Sequence, residues 1–391
     1  MSGSLSAALA TARGRAAALA AAGAAAGAAG AALAAPQPRR PARCYFEPRP
    51  DGSTDRLARW SGRTWGKIPW DRSPTFHLKG VHPLLEKYAS RLVDGVSALD
   101  AEIGPSALVP LCGKSYDLLF LCQLGLGVVG VEGILRPICE FRSEHQGRVR
   151  GLRRSTPLHL RADGTWAEGA DFQAADGFAG ARPHRVFKSG PEGLGYYADF
   201  PAVWHGTVPA GVHGTRPLDL LQADFFEASP AMLAGGTFAR RGACDVAVDR
   251  GGLDAVPPGA RRQYVAALSR LLKPEGRVLL IVLEYDQSQV PVDPTGKRSR
   301  PPPFSVPEAE VRRLFPAGAW DVELLERRPE TEISTFSPAF SGVTVREAAY
   351  LIHKRPGATP STAARRAAGC AAVAGALAAA AWATRDARRG G

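Results

Sequence analysis

The chain has 391 residues, 45% of them hydrophobic and 22% charged, the balance of a globular protein rather than of a disordered or polytopic membrane chain. Its net charge is +12, but residues 1–46 hold five Arg and no acid, and residues 353–391 hold seven Lys or Arg against one Asp. The middle is therefore close to neutral, and nucleic-acid binding is not expected, because a phosphate groove belongs in the folded part.

Residues 1–35 contain 19 Ala, with Ser2, Ser4, Ser6 and Thr11 and no acid before Glu47. Ser and Arg without acids make the composition of an organelle transit peptide; a low-complexity leader without function and a membrane anchor are the alternatives. Residues 1–46 form one unit on this reading, and a cytoplasmic or organellar location follows removal of the leader. The other end repeats the theme. Pro356–Thr362 reads as a linker, and Ala367–Ala383 is an apolar run between Arg365-Arg366 and Arg385. Basic flanks on an apolar run are the layout of a tail anchor, so residues 356–391 are expected to be a tail that can associate with a membrane. The folded domain is expected over 58–355.

Within it, Ala107–Pro110 is a short apolar run ending in the turn Leu111-Cys112-Gly113-Lys114. Ser115 is a natural N-cap for a helix whose Tyr116, Leu119, Phe120 and Gln123 have helical spacing and which Gly125 stops. Val128–Val131 is continuously apolar, as a strand buried on both faces is. It ends in Glu132, and Ile134–His145 reads as the next helix. Strand, turn, helix, strand, acid is the first βαβ unit of a doubly wound α/β sheet. The stretch 151–215, rich in Gly, Pro, His and aromatics, reads as a surface insertion. Leu218–Gln222 is a strand ending at Asp224-Phe225, and Asp245–Val248 one ending at Asp249-Arg250-Gly251-Gly252. Pro258–Leu272 is a helix stopped by Lys273–Gly276, Arg277–Glu284 a central strand, and Val306–Phe315 a helix begun by Pro. Trp320–Leu325 and Ala348–His353 are two last strands joined by a long hairpin.

Ligands of open α/β sheets sit beyond the carboxyl ends of the strands. Gly113 lets backbone approach a ligand there. Glu132, 19 residues on, can accept from both hydroxyls of a ribose, or it can be a charge at a helix N-terminus. Asp224 and Phe225 offer a polar side chain and a ring to an adenine. The G-x-G-x-x-G of dinucleotide enzymes is missing, so a nucleoside ligand without a pyrophosphate is favoured, S-adenosyl-L-methionine over NAD. The six cysteines contain no C-x-x-C pair or zinc spacing, so free thiols and no metal are expected. Cys112 is not expected to be a nucleophile, because no His–Asp partner set is evident for it.

Leu111-Cys112-Gly113-Lys114 and Val128–Glu132 resemble the signature of the thiopurine S-methyltransferase family. So do Asp249-Arg250-Gly251-Gly252-Leu253, Pro258-Gly259-x-Arg261-x-x-Tyr264, the segment Pro302–Phe315, and Phe76-His77-x-x-x-x-His82-x-Leu84-Leu85-x-Lys87. The resemblance runs from about Trp60 to Lys354. It implies a class I methyltransferase fold, with a mostly parallel seven-stranded sheet and an N-terminal helical arm, using S-adenosyl-L-methionine. It further implies that Trp65 and Trp70 cover the cofactor, that Leu111 packs on it, that Glu132 holds its ribose, and that Asp224 and Phe225 lie beside its adenine. Phe76 and Arg250 are then acceptor-side residues, with Arg250, Asp71 and His77 as candidates for activating the nucleophile. Ile68-Pro69-Trp70-Asp71 with Pro74 is more similar to the thiol and halide methyltransferase branch of the family. The acceptor implied is a small-molecule thiol. Alternatives are a halide or bisulfide, giving volatile methyl compounds, or no turnover at all in a membrane-tethered cofactor-binding module. A monomer is expected.

Overall fold

The computed structural model describes residues 77–96, 104–155, 158–160, 166–168, 172–180, 185–190, 193–198, 201–233, 243–290, 303–329, 340 and 342–356. The leader, Trp65, Trp70, Asp71, Phe76 and the basic tail lie outside the described residues.

The main sheet comprises β1 (Ser106–Pro110), β2 (Gly127–Val131), β3 (Arg150–Arg154), β4 (Ala202–Pro209), β5 (Thr215–Gln222), β6 (Cys244–Arg250), β7 (Leu272–Glu284), β8 (Trp320–Pro329) and β9 (Arg346–Lys354). Their order across the sheet is β8-β9-β7-β6-β1-β2-β5-β4-β3. The five central strands β7, β6, β1, β2 and β5 run parallel. The outer strands β9, β8, β4 and β3 each pair antiparallel with their neighbours. The helices are α1 (Pro83–Val93), α2 (Asp117–Gln123), α3 (Leu135–Glu144), α4 (Pro230–Leu233), α5 (Gly252–Ala255), α6 (Arg261–Leu271) and α7 (Glu308–Leu314). Among the described residues, no helix is long and apolar enough to cross a membrane.

Alternation along the strands builds two cores. Val278, Leu280 and Val282 of β7 join one cluster, with Leu268 of α6 and Val311 of α7. Leu279 and Ile281 join the other, with Leu85 of α1, Leu118 of α2 and Ile138 of α3. Every residue of β1 and β2 is buried, which is why these strands read as unbroken apolar runs.

The sheet has two strands more than the seven expected. Both come from the stretch read as an insertion. β4 pairs with β5 along its whole length, Ala202 opposite Gln222 through Pro209 opposite Thr215. β3 is the edge strand and carries Arg150, Arg153 and Arg154. Charge on an edge opposes onward pairing, and it also hides such a strand from a search for apolar runs. The true insertion begins after Arg154 and ends before Ala202. It holds a two-stranded sheet, Leu158–Leu160 with Trp166–Glu168. It also holds a three-stranded one, in the order Phe172–Ala174, Gly193–Ala198, Arg185–Gly190. Arg154 faces Trp204, and β4 begins opposite the end of β5, so the insertion leaves and re-enters at the carboxyl edge of the parallel strands. The expected helix stop Lys273–Gly276 is part of β7, with Glu275 at φ 63 and a register shift against β6.

Gly130 of β2 leaves room for side chains from the turn after β1 and from β5. A Cβ at Gly130 would lie 2.7 Å from the Cys112 sulfur and 2.9 Å from a Leu220 methyl. Overpacking of this kind costs about 1–3 kcal/mol. Gly130→Ala should therefore lower unfolding stability by about that amount in a denaturant titration. Unchanged stability would mean that Cys112 and Leu220 pack on Gly130 more loosely than described.

Candidate active site

β1 and β2 lie in register, with Pro110 opposite Val131, so the turns that follow them meet. The turn after β1 is unusual in its backbone. Leu111 has φ 45 and Gly113 φ 54, and a Cβ at Gly113 would have no heavy atom within 4 Å. The glycine opens space on this side of the turn.

Glu132 closes the other side. It is 7% exposed. One carboxylate oxygen accepts from the Gly113 N–H at 3.0 Å and the other from the Ile134 N–H at 2.7 Å. Burial nevertheless pushes its carboxyl up to about 7, against the pull of the backbone N–H groups of Ile134, Gly113 and Gly133. A carboxylate can accept about four hydrogen bonds, so capacity remains for further donors.

Asp224 ends β5 as a cap. Its Oδ1 accepts from the Phe226 N–H at 2.9 Å, and it is buried. Phe225 departs from expectation. Its ring is 1% exposed and stands 4.8 Å from the Tyr264 ring within the core. The ring expected beside an adenine is thus a core ring, because the residues just past β5 turn back onto α6.

At the end of β6 two neighbouring charges part company. Asp249 turns inward: it accepts from the Gly252 and Leu253 N–H groups and from the Tyr264 hydroxyl at 3.0 Å. Burial pushes its carboxyl up to about 6. A Cβ at Gly252 would sit 2.5 Å from both Asp249 Oδ1 and the Tyr264 hydroxyl, which accounts for the second glycine of that motif. Arg250 points to the opposite side, 20% exposed, with its Nε 3.7 Å from Asp117 Oδ2. Arg250 thus pairs with an acid other than its chain neighbour Asp249.

His77 stacks on Tyr116 at 6.2 Å. Burial, then the Lys114 charge and the Arg250 charge, lower its imidazole to about 4. It is neutral near pH 7, the form in which an imidazole can accept a proton. Cys112 is buried, and burial raises its thiol, in keeping with a cysteine that is no nucleophile.

Three elements of the site were missed from the sequence. Lys114 is buried and bound to Glu140 at 2.9 Å and Glu144 at 2.5 Å; the i,i+4 carboxylates on α3 were the available signal. Asp117 pairs with Arg250. His82 is held by Glu347 at 2.9 Å. Glu347 lies 265 positions away, and no local pattern announces it.

The thiopurine S-methyltransferase family profile matches residues 61–151 and 209–355. The chain belongs to the thiopurine S-methyltransferase family. It is a methyltransferase that works with S-adenosyl-L-methionine. A thiopurine S-methyltransferase of Pseudomonas paraeruginosa is 30% identical over 69% of this chain and 84% of its own length. One of Pseudomonas entomophila is 31% identical over 71% and 90%. A solved magnesium protoporphyrin IX methyltransferase from Synechocystis PCC 6803 is 12% identical over 76% of this chain and 98% of that one, with a TM-score of 0.39. The unmatched stretch 152–208 falls on the insertion and its flanking strands. The residues fit the cofactor on their own chemistry, through a buried carboxylate short of donors and a turn opened by glycine.

The raised Glu132 carboxyl has a consequence for stability. Its folded value lies above the unfolded one, so its contribution is fully present below about 4.5 and is lost as pH rises through about 7. Glu132→Gln lacks this titration. The melting temperature of the cofactor-free variant, relative to wild type, should rise between pH 5 and 8. A constant difference would place the Glu132 carboxyl at an ordinary value.

Proposed function

We propose that this methyltransferase transfers the methyl group to a small-molecule thiol. The observation that carries the reading is the position of Arg250. It ends β6, the strand beside β1, faces the side of the sheet away from Asp249, and is partly exposed. A cation there attracts an anionic acceptor and disfavours a cationic one. The family relatives' name, S-methyltransferase, agrees with a thiolate.

S-adenosyl-L-methionine supplies a methyl group on a positively charged sulfur. On this reading Glu132 accepts from the ribose hydroxyls, and the open side of Gly113 and the Leu111 turn receive the cofactor against β1. Asp224 stands at the base end, where Phe225 contributes backbone rather than ring. Trp65, Trp70 and Phe76 cover the cofactor and the acceptor from the arm. The acceptor sulfur, as thiolate, forms the new bond to the methyl carbon as the old carbon–sulfur bond breaks, and the leaving sulfur becomes a neutral thioether. Holding two such centres in line is worth about 7–11 kcal/mol. Arg250 stabilises the thiolate, and Asp71 and His77 are the candidates to take the proton of a thiol that is not yet ionised. The insertion and the segments after β7 and before β9 start or end at the carboxyl edge, and a thiolate nucleophile there gains from the exclusion of water that would stabilise it.

Two variants separate the halves of the site. Glu132→Ala should weaken cofactor binding by about 1.5–3 kcal/mol, the worth of hydrogen bonds to a charged group; calorimetry showing equal affinities would remove Glu132 from the cofactor site. Arg250→Met should lower kcat/KM for an anionic thiol at least about tenfold, or 1.4 kcal/mol, with cofactor affinity near wild type. The loss should be greater for an alkyl thiol, which ionises only near 8.5, than for an acidic aryl thiol. Equal kinetics on both would remove Arg250 from the acceptor side. A headspace assay with iodide and sulfide decides the halide alternative.

A further inference from the structure

Asp117 is the first residue of α2 and is 2% exposed. A carboxylate buried to this degree needs donors or a counter-charge. It has both, on different oxygens. Oδ1 accepts from the His82 N–H at 3.0 Å, and Oδ2 faces Arg250 Nε at 3.7 Å. Its own N–H donates to Ser115 Oγ at 3.2 Å.

The His82 end of this arrangement is rigid. His82 Nδ1 accepts from the Leu84 N–H at 3.2 Å, which fixes the ring proton on Nε2. Nε2 then donates to Glu347 Oε1 at 2.9 Å, and Glu347 Oε2 accepts from Arg328 at 2.8 and 3.1 Å. The entry to α1, the start of α2 and the antiparallel strands β8 and β9 are thereby tied together around one imidazole. Asp117 is fixed by that tie, so its second oxygen is a stationary negative charge facing Arg250 from the Nε side.

An arginine on a strand end has several staggered conformers of similar energy. A fixed carboxylate selects among them. We propose that Asp117 is a positioning residue for acceptor methylation, which orients the Arg250 guanidinium toward the acceptor while anchoring the chain that enters α1. This rests on the reading that Arg250 faces the acceptor. A role confined to satisfying the His82 N–H is the competing account, and the two differ in what the charge does.

The test is a double-variant cycle on the full chain with Asp117→Asn and Arg250→Met, using 4-nitrothiophenol as the acceptor. Asn keeps an oxygen for the His82 N–H and removes only the charge. Asp117→Asn should lower kcat five- to tenfold with KM for the thiol within twofold, because Arg250 is still present to attract it. Asp117→Asn in the Arg250→Met background should cost less than twofold, since there is then no guanidinium to orient. Asp117→Glu, which keeps the charge one methylene farther out, should retain more kcat than Asn, and it replaces Asn in the cycle if Asn does not fold. A full five- to tenfold loss in the Arg250→Met background would overturn the positioning role and leave Asp117 structural. So would equal losses for Asn and Glu. If Arg250→Met itself leaves the kinetics unchanged, the acceptor reading fails first, and the positioning role falls with it.

Discussion

The molecule depends on one constraint: two parallel strands whose ends must lie side by side. With Gly127–Val131 in register against Ser106–Pro110, the turn after the first strand and the acid after the second are brought to hydrogen-bonding distance. Glu132 then accepts from Gly113 across that gap. The contact requires Gly130 to lack a side chain, since Cys112 and Leu220 occupy its space. The junction of Gly113 with Glu132 is therefore a property of strand packing, and the side chains around it arrive on a frame already set.

The charges around Arg250 are held differently. They are kept in place by partners that come from afar in sequence. Arg250 faces Asp117, and Asp117 is anchored through His82 to Glu347 and Arg328. Lys114, beside the cofactor turn, is neutralised by two carboxylates of α3. The effect is a region in which the charges named here are paired, and His77 is kept without a proton first by burial and then by the Lys114 and Arg250 charges.

What the sequence made legible follows this division. Buried parallel strands have long apolar runs, and β1, β2, β6 and the end of β7 were found by them. Glu132 was readable because its role depends on a short, local spacing from Gly113. Arg261 and Tyr264, which the family motif singles out, are structural. Arg261 is fully buried and pairs with Glu310 at 2.6 Å, and Tyr264 holds Asp249. The partnerships of His82 with Glu347 and of Arg250 with Asp117 span 265 and 133 positions, and no periodicity encodes them. Edge strands β3 and β4 were absorbed into an insertion because arginines on one and aromatics around the other break the apolar pattern. The ring of Phe225 went astray for a related reason: strand-end position does not say which way a side chain turns once the chain leaves the sheet.

The insertion's two ends are nearer than its length implies. The Ser155 N–H donates to the Val203 carbonyl at 2.7 Å, so the excursion begins and finishes at the spacing of an ordinary hairpin. Closing a long loop costs little more than closing a short one, because the entropy grows only with the logarithm of its length. The segment is thus a module hung on a finished sheet. Lengthening, trimming or exchanging it asks nothing of β1, β2 or Glu132, so this edge of the sheet can change while the strand pair at its centre stays as it is.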